Sequence, residues 1–276
     1  MNIGIRLHDT LPGTLFERLG YAKAQGFSCA HLALSKALSG FAMNDAPRLL
    51  DEALAETVKG DFAAQGMGCA VLGCYLSLAD PDEETRARTQ QIYRAHLRFC
   101  RMIGAGVVGT ETPAAPNARF DAPQQDSEEA FRLFVESVRP VVRWAEEEDA
   151  VLAVEPVWRH IVSTPERAER LLDELRSDRA QIILDSVNLL SPENAPRAEA
   201  VIDEAIRRLG DRVRVLHMKD YTLAPDGAVR SGACGTGVMK YEKLIAFAKA
   251  RTLPMTLEDT RPDNAEAARK YLEKFA

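Results

Sequence analysis

Glu155, Asp185, His217 and Glu258 carry the chemistry of this sequence. Each closes a short apolar burst: VLAVEP at 151–156, QIILD at 181–185, RVRVLHMKD at 212–220 and LPMTLED at 253–259. A run built for burial gains nothing by ending on a charge unless the charge is used. Three carboxylates confined together repel one another, and desolvation penalises each ionised form. A divalent cation removes both penalties. Three carboxylate oxygens and one imidazole suit Mn²⁺ or Mg²⁺, with Co²⁺ and Zn²⁺ as alternatives. One divalent metal ion per chain is therefore expected. The bland account of a single acidic strand end is a helix cap or a partner for a loop arginine. That account does not explain four such ends in successive strands.

The elements that position these residues alternate regularly. Apolar bursts recur at 2–7, 29–34, 68–75, 106–111, 151–156, 181–185, 212–220 and 253–259. They are short and mostly non-alternating, as expected of parallel strands covered on both faces. Helical spacing of apolar residues fills the gaps at 15–26, 47–66, 82–104, 127–150, 163–177, 198–210, 240–250 and 264–275. Ser163 or Thr164 caps the fifth of these helices, with Pro165 in its first turn. Pro140 falls inside the fourth and predicts a kink. Strict alternation over 276 residues predicts a single (β/α)₈ TIM barrel, one domain over 1–276. A doubly wound sheet would show a Gly-rich phosphate loop after its first strand; LHDTLPG is not one. In such a barrel the site forms where strands end. The remaining strand ends are His8 and Asp9, Glu111, and Lys219 with Asp220. His31 lies mid-strand and reads as core.

Composition narrows the function classes. The formal net charge of −6 disfavours a nucleic-acid partner. The five cysteines (Cys29, Cys69, Cys74, Cys100, Cys234) are scattered, without a CxxC pair, as in reduced cytoplasmic proteins. MNIGIRLHDT is not a leader, and no apolar run reaches membrane-spanning length, so no membrane partner is expected. SGACGTGVMKY at 231–241 lacks GK[ST] and reads as a loop that lets backbone pass near the end of the seventh strand. Cys234 within it reads as a plain loop cysteine.

VEPVWRH, IILDSVNLL, VLHMKD, CGTGVMKYEKLIAFAK and LEDTRPDNAEAARKYLEKF together resemble the xylose isomerase-like superfamily of sugar isomerases and epimerases. This includes ketose 3-epimerases and inosose dehydratases. The resemblance is strong from about residue 150 onward. It implies that Glu155, Asp185, His217 and Glu258 ligate one metal. It implies that Glu155 and Glu258 also form an acid/base pair on opposite faces of a sugar carbon. It implies proton removal beside a carbonyl through an enediolate, on a keto-sugar or related polyol. A homodimer or homotetramer is a further implication. The epimerases place His where Asn188 stands, Glu where Ile161 stands and Arg where Leu223 stands. These departures weaken a free ketohexose as the substrate and leave the metal set intact.

Other residues are candidates for holding the carbohydrate. Arg159 stands where the resemblance also has an arginine. Trp158 is suited to stacking on a sugar face. Lys219, two residues after His217, would share its strand face and hold a carboxylate, phosphate or oxyanion. His8, Glu111 and Asn188 complete the set. The alternative activity is a metal-dependent dehydratase of a keto-sugar or keto-inositol, which begins with the same proton removal. A DNA-repair endonuclease needs more histidines than the five present, and a basic groove.

Overall fold

The computed structural model describes residues 1–112 and 125–275. Eight parallel strands close into a barrel: β1 (Ile3–Arg6), β2 (Cys29–Leu32), β3 (Gly68–Gly73), β4 (Val107–Glu111), β5 (Leu152–Glu155), β6 (Ala180–Asp185), β7 (Val213–Met218) and β10 (Met255–Leu257). The order around the barrel is β1-β10-β7-β6-β5-β4-β3-β2. The strands of Glu155, Asp185, His217 and Glu258 are thus consecutive neighbours. A two-stranded antiparallel hairpin, β8 (Asp220–Leu223) and β9 (Val229–Gly232), stands outside the barrel. The sequence reading of 212–220 as one strand is corrected here. β7 stops at Met218, and Asp220 begins the hairpin.

The helices are α1 (Leu15–Ala24), α2 (Leu34–Ala37), α3 (Ala46–Leu49), α4 (Glu52–Ala64), α5 (Glu83–Ile103), α6 (Glu128–Glu147), α7 (Pro165–Leu175), α8 (Ala198–Leu209), α9 (Glu242–Arg251) and α10 (Ala265–Glu273). The helix expected over 47–66 is divided. Asp51 adopts extended backbone there and caps α4 by accepting the Leu54 N–H. Thr164, rather than Ser163, caps α7 by accepting the Arg167 N–H. α6 continues through Pro140. Among the described residues no helix is long and apolar enough to cross a membrane.

Period-2 alternation sorts each strand into a face toward the helices and a face into the bore. Cys29, Ala70, Val71, Val107, Ala153, Ile183 and Val215 form a separate apolar cluster from seven positions on six strands. The main core lies between strands and helices. Two residues beyond these bore positions come His31, Gly73, Gly109, Glu155, Asp185 and His217. An apolar plug therefore sits beneath a polar layer at the C-terminal ends of the strands.

One core group makes the fold pH-sensitive. His96 on α5 is fully buried; its Nδ1 meets the Ile92 carbonyl at 2.8 Å and its Nε2 has no hydrogen-bond partner. Burial pushes this imidazole down to about 4. The unfolded chain protonates it near pH 6.5. Below that pH the unfolded state binds the extra proton, so stability falls as pH falls from about 6.5 toward 4. The loss reaches about 3 kcal/mol near pH 4. His96→Gln is expected to flatten this dependence, read as urea midpoints at pH 7 and pH 5. Equal pH dependence in both proteins would clear His96 of the role.

Candidate metal centre and active site

Backbone register brings the four expected ligands together. Asp185 pairs in register with His217, and His217 with Thr256, so Glu258 follows two residues later on the same face. Glu111 stands in register with Glu155. Glu155, Asp185, His217 and Glu258 are all buried. His217 Nδ1 lies 3.0 Å from Glu155 Oε2 and 3.3 Å from Glu258 Oε1.

These distances are those of close ion pairs and equally of donor atoms that share a cation. Neither nitrogen of His217 has a hydrogen-bond partner, and Asp185 Oδ2 has none either. Atoms sharing a metal at about 2.1 Å, at angles of about 90–109°, stand about 3.0–3.4 Å apart. Ligand atoms of Glu155, Asp185 and His217 lie within 4.8 Å of one another, as do those of His31, His217 and Glu258. The two triplets share His217 and together contain the whole expected quartet. Asp185 Oδ1 accepts the N–H groups of Val187 (2.9 Å) and Asn188 (3.1 Å), while Oδ2 lies 3.1 Å from Lys219 Nζ. The donor set fits a divalent ion.

The electrostatics agree. Burial opposes an imidazolium at His217, yet Glu258 and Glu155 outweigh it and raise the group to about 9. A field that binds a proton so firmly there also favours a metal cation. Burial acts to raise Glu258, but His217, Lys219 and Arg6 hold its carboxyl well below the usual range. Burial, opposed chiefly by Lys219, leaves Asp185 raised to about 6.

Hydrogen bonds and ion pairs around the candidate ligands fix their orientation, as a metal site would require. Asn188 Nδ2 donates to Glu155 Oε1 at 2.6 Å, turning Oε2 toward His217. Arg6 Nη1 lies 3.4 Å from Glu258 Oε2, and the same guanidinium engages Asp9 and Asp259. Asp259 turns the chain just after Glu258 with φ of 54°, a backbone state uncommon outside glycine.

A cavity of about 350 Å³ opens in front of this cluster, lined by Arg6, His8, His31, Tyr75, Glu111, Lys219 and Glu258 among others. His8 is half-buried, in a 3₁₀ turn (Leu7–Asp9) just past β1. Glu111 faces the cavity with His160 Nδ1 at 3.7 Å. Burial, then Glu155 and Glu258, raise the Glu111 carboxyl to about 8, so it is largely protonated at neutral pH. Burial lowers His160 to about 4.

Trp158 and Arg159 lie apart from this cavity. Arg159 is exposed and rests 4.3 Å from the Trp158 ring centroid. Trp158 lines a separate groove with Leu189 and Ser191. Its N–H donates to the Asn188 carbonyl at 2.8 Å.

His31, expected to be core, belongs to the site, which is a correction. It is buried, but its ring stacks on His217 with centroids 5.3 Å apart and planes 15° apart. Its Nδ1 lies 3.8 Å from Glu258 Oε1. Gly73 makes room for it: a Cβ there would stand 2.7 Å from His31 Nε2. Arg6 was also passed over. The available signal was period 2: His31 follows the bore residue Cys29 by two, and Arg6 is the lone charge in NIGIRL.

Residues 19–275 match the family of xylose isomerase-like TIM barrels. No curated protein matches the chain in sequence. Among solved structures, a 3-keto-D-glucoside 4-epimerase from E. coli superposes with TM-score 0.77 at 18% identity, covering 99% of each chain. A D-psicose 3-epimerase from Clostridium cellulolyticum H10, solved with D-tagatose, gives TM-score 0.77 at 15% identity, covering 100% of this chain and 99% of that one. An IOLI protein solved with a zinc atom gives TM-score 0.73 at 17% identity, covering 100% and 96%.

Proposed function

We propose, for a chain that belongs to the xylose isomerase-like TIM-barrel family, that it is a sugar isomerase or epimerase dependent on one divalent ion. Its substrate class is a keto-sugar or related polyol. The observation that carries this reading is the buried approach of Glu155 and Glu258 to an imidazole with no hydrogen-bond partner, with a ligand atom of Asp185 within 4.8 Å of those of Glu155 and His217. The epimerases of the same fold, and the zinc-binding IOLI protein, support it.

A divalent ion held by Glu155, Asp185, His217 and Glu258 would polarise the substrate carbonyl and offset the charge that proton removal creates. The chain supplies the rest. One glutamate takes the proton beside the carbonyl, and the C–H electron pair passes into an enediolate. The proton is relayed across the enediolate oxygens to the other glutamate, which returns it to carbon from the opposite face, so both glutamates end ionised, as they began. Asn188 keeps Glu155 aimed by holding Oε1. Arg6 and Lys219 keep Glu258 ionised until it acts. The cavity volume is at the small end of ligand sites, which span about 300–1,000 Å³.

Glu111 favours a dehydratase as the second reading. Loss of a hydroxyl beside the enediolate needs an acid to protonate it, and the Glu111 carboxyl lines the cavity beside Glu258, where it can serve. All five cysteines are buried free thiols, which fits a reducing compartment such as the cytoplasm.

The test is exchange in D₂O. The Mn²⁺-loaded protein is incubated with ketoses, 3-keto-glycosides and inososes, and followed by NMR. Deuterium at the carbon beside the carbonyl, with an isomer or epimer appearing, is the expected result. A dehydrated product would move the assignment to the lyase. No exchange with any member of the panel would overturn both readings.

A further inference from the structure

Lys219 is an unexpected charge inside a metal centre. Its side chain is buried, and Nζ lies 3.1 Å from Asp185 Oδ2 and 3.0 Å from Glu258 Oε2. Nζ also donates to Asn188 Oδ1 at 3.1 Å. Because Asp185 Oδ2 still has no hydrogen bond, its contact with Lys219 is Coulombic and leaves that oxygen available to a cation. The ammonium thus faces three protein oxygens, at the wall of the cavity that Lys219 also lines.

The fold holds Lys219 in place. Tyr241 Oη donates to the Lys219 carbonyl at 3.0 Å. The next residue, buried Asp220, accepts N–H groups from Tyr221 and Met239 at 2.8 Å each and from Gly235 at 2.9 Å. These bonds stitch the Gly-rich loop over the end of β7. Gly237 is required there, since a Cβ would come within 2.0 Å of the Tyr221 carbonyl oxygen. A hairpin and a loop together immobilise one lysine.

A buried ammonium carries a large desolvation cost. Three ionised carboxylates and a divalent ion leave one negative charge when His217 is neutral. Arg6 does not cancel it alone, because Asp9 and Asp259 share that guanidinium. Lys219 does. An anionic centre would repel the oxyanion that proton removal creates, whereas a neutral one would not.

We propose that Lys219 is a built-in counter-cation, which weakens the hold of Glu155, Asp185, His217 and Glu258 on their metal and keeps the loaded centre neutral. This rests on the metal-centre reading above. In this role Lys219 acts through the ligands.

The test is calorimetric titration of the metal-free protein with Mn²⁺ at fixed pH and salt. Lys219→Met is expected to bind Mn²⁺ about tenfold or more tightly than the wild type, because like-charge repulsion is gone. Deuterium exchange into substrate should fall in the same variant. Lys219→Arg keeps the charge and should stay within about threefold of wild-type affinity. Unchanged or weaker Mn²⁺ binding in Lys219→Met, beside a wild type that binds, overturns this inference alone. A wild type that takes up no divalent ion overturns the metal centre and this inference with it. If Lys219→Met folds only with metal, it is purified Mn²⁺-loaded and challenged with chelator. Slower release than the wild type supports the proposal, and equal or faster release overturns it.

Discussion

Glu258→Gln is expected to lower turnover of an exchange-competent keto-sugar by about 10²–10⁴-fold, the range set by losing a positioned acid or base. The substitution is nearly isosteric. A glutamine oxygen can still face Lys219 and Arg6, which lie 3.0 Å and 3.4 Å from Glu258 Oε2. The fold should therefore persist, checked by thermal unfolding. The amide cannot accept a proton from carbon. It also places a neutral group 3.3 Å from His217 Nδ1, where a ligand oxygen belongs. Two measurements separate these effects. Mn²⁺ occupancy is read by elemental analysis, and exchange of the substrate C–H is read at saturating metal. Turnover within tenfold of the wild type at full occupancy would remove Glu258 from the acid/base pair.

His217→Ala is expected to weaken Mn²⁺ binding by about 100-fold or more, about 2.8 kcal/mol at about 1.4 kcal/mol per tenfold. Removing a partner that only orients a metal ligand typically costs about 10–100-fold, and a ligand should exceed that. His217 is common to both groups of candidate ligands, so its loss breaks each. Exchange activity should fall in step and return partly at high Mn²⁺. His31→Ala is the control: its Nδ1 is farther from Glu258 Oε1, at 3.8 Å, and its loss should weaken Mn²⁺ less. Equal Mn²⁺ affinity in His217→Ala and the wild type would remove His217 from the ligand set. A larger loss in His31→Ala would reassign the imidazole ligand.

Much of this was legible because a parallel barrel writes its geometry into the chain at a fixed rhythm. A buried strand admits no charge without a use, so Glu155 and Asp185 stand out at the ends of LAVE and AQIILD. Each strand delivers its last inward residue to one end of the barrel. The alternation of strand and helix therefore predicts the convergence of consecutive strands. The resemblance from about residue 150 onward added the roles. Helix limits were less legible. The break at Asp51 divides what apolar spacing read as one helix, because spacing is blind to a local capping bond.

Residues whose meaning depends on a distant partner were not legible. His31 looks like core because burial and burial against a site leave the same trace in sequence. Only closing the barrel stacks it on His217. Trp158 and Arg159 follow Glu155 closely, but the chain turns after β5, sends Trp158 to another groove and leaves Arg159 exposed beside its ring. The sequence places Lys219 near a substrate but does not show its contacts with Asp185 and Glu258, which the end of β7 at Met218 creates.

By itself the sequence determined the barrel and the strand ends that carry Glu155, Asp185, His217 and Glu258, since these follow from short-range periodicity and chain order. The tertiary structure alone decided which neighbours surround those residues, which charges offset them and which side chains reach the cavity. Those depend on contacts between residues far apart in the chain, such as Arg6 with Glu258 and Asn188 with Glu155, and no local pattern encodes them.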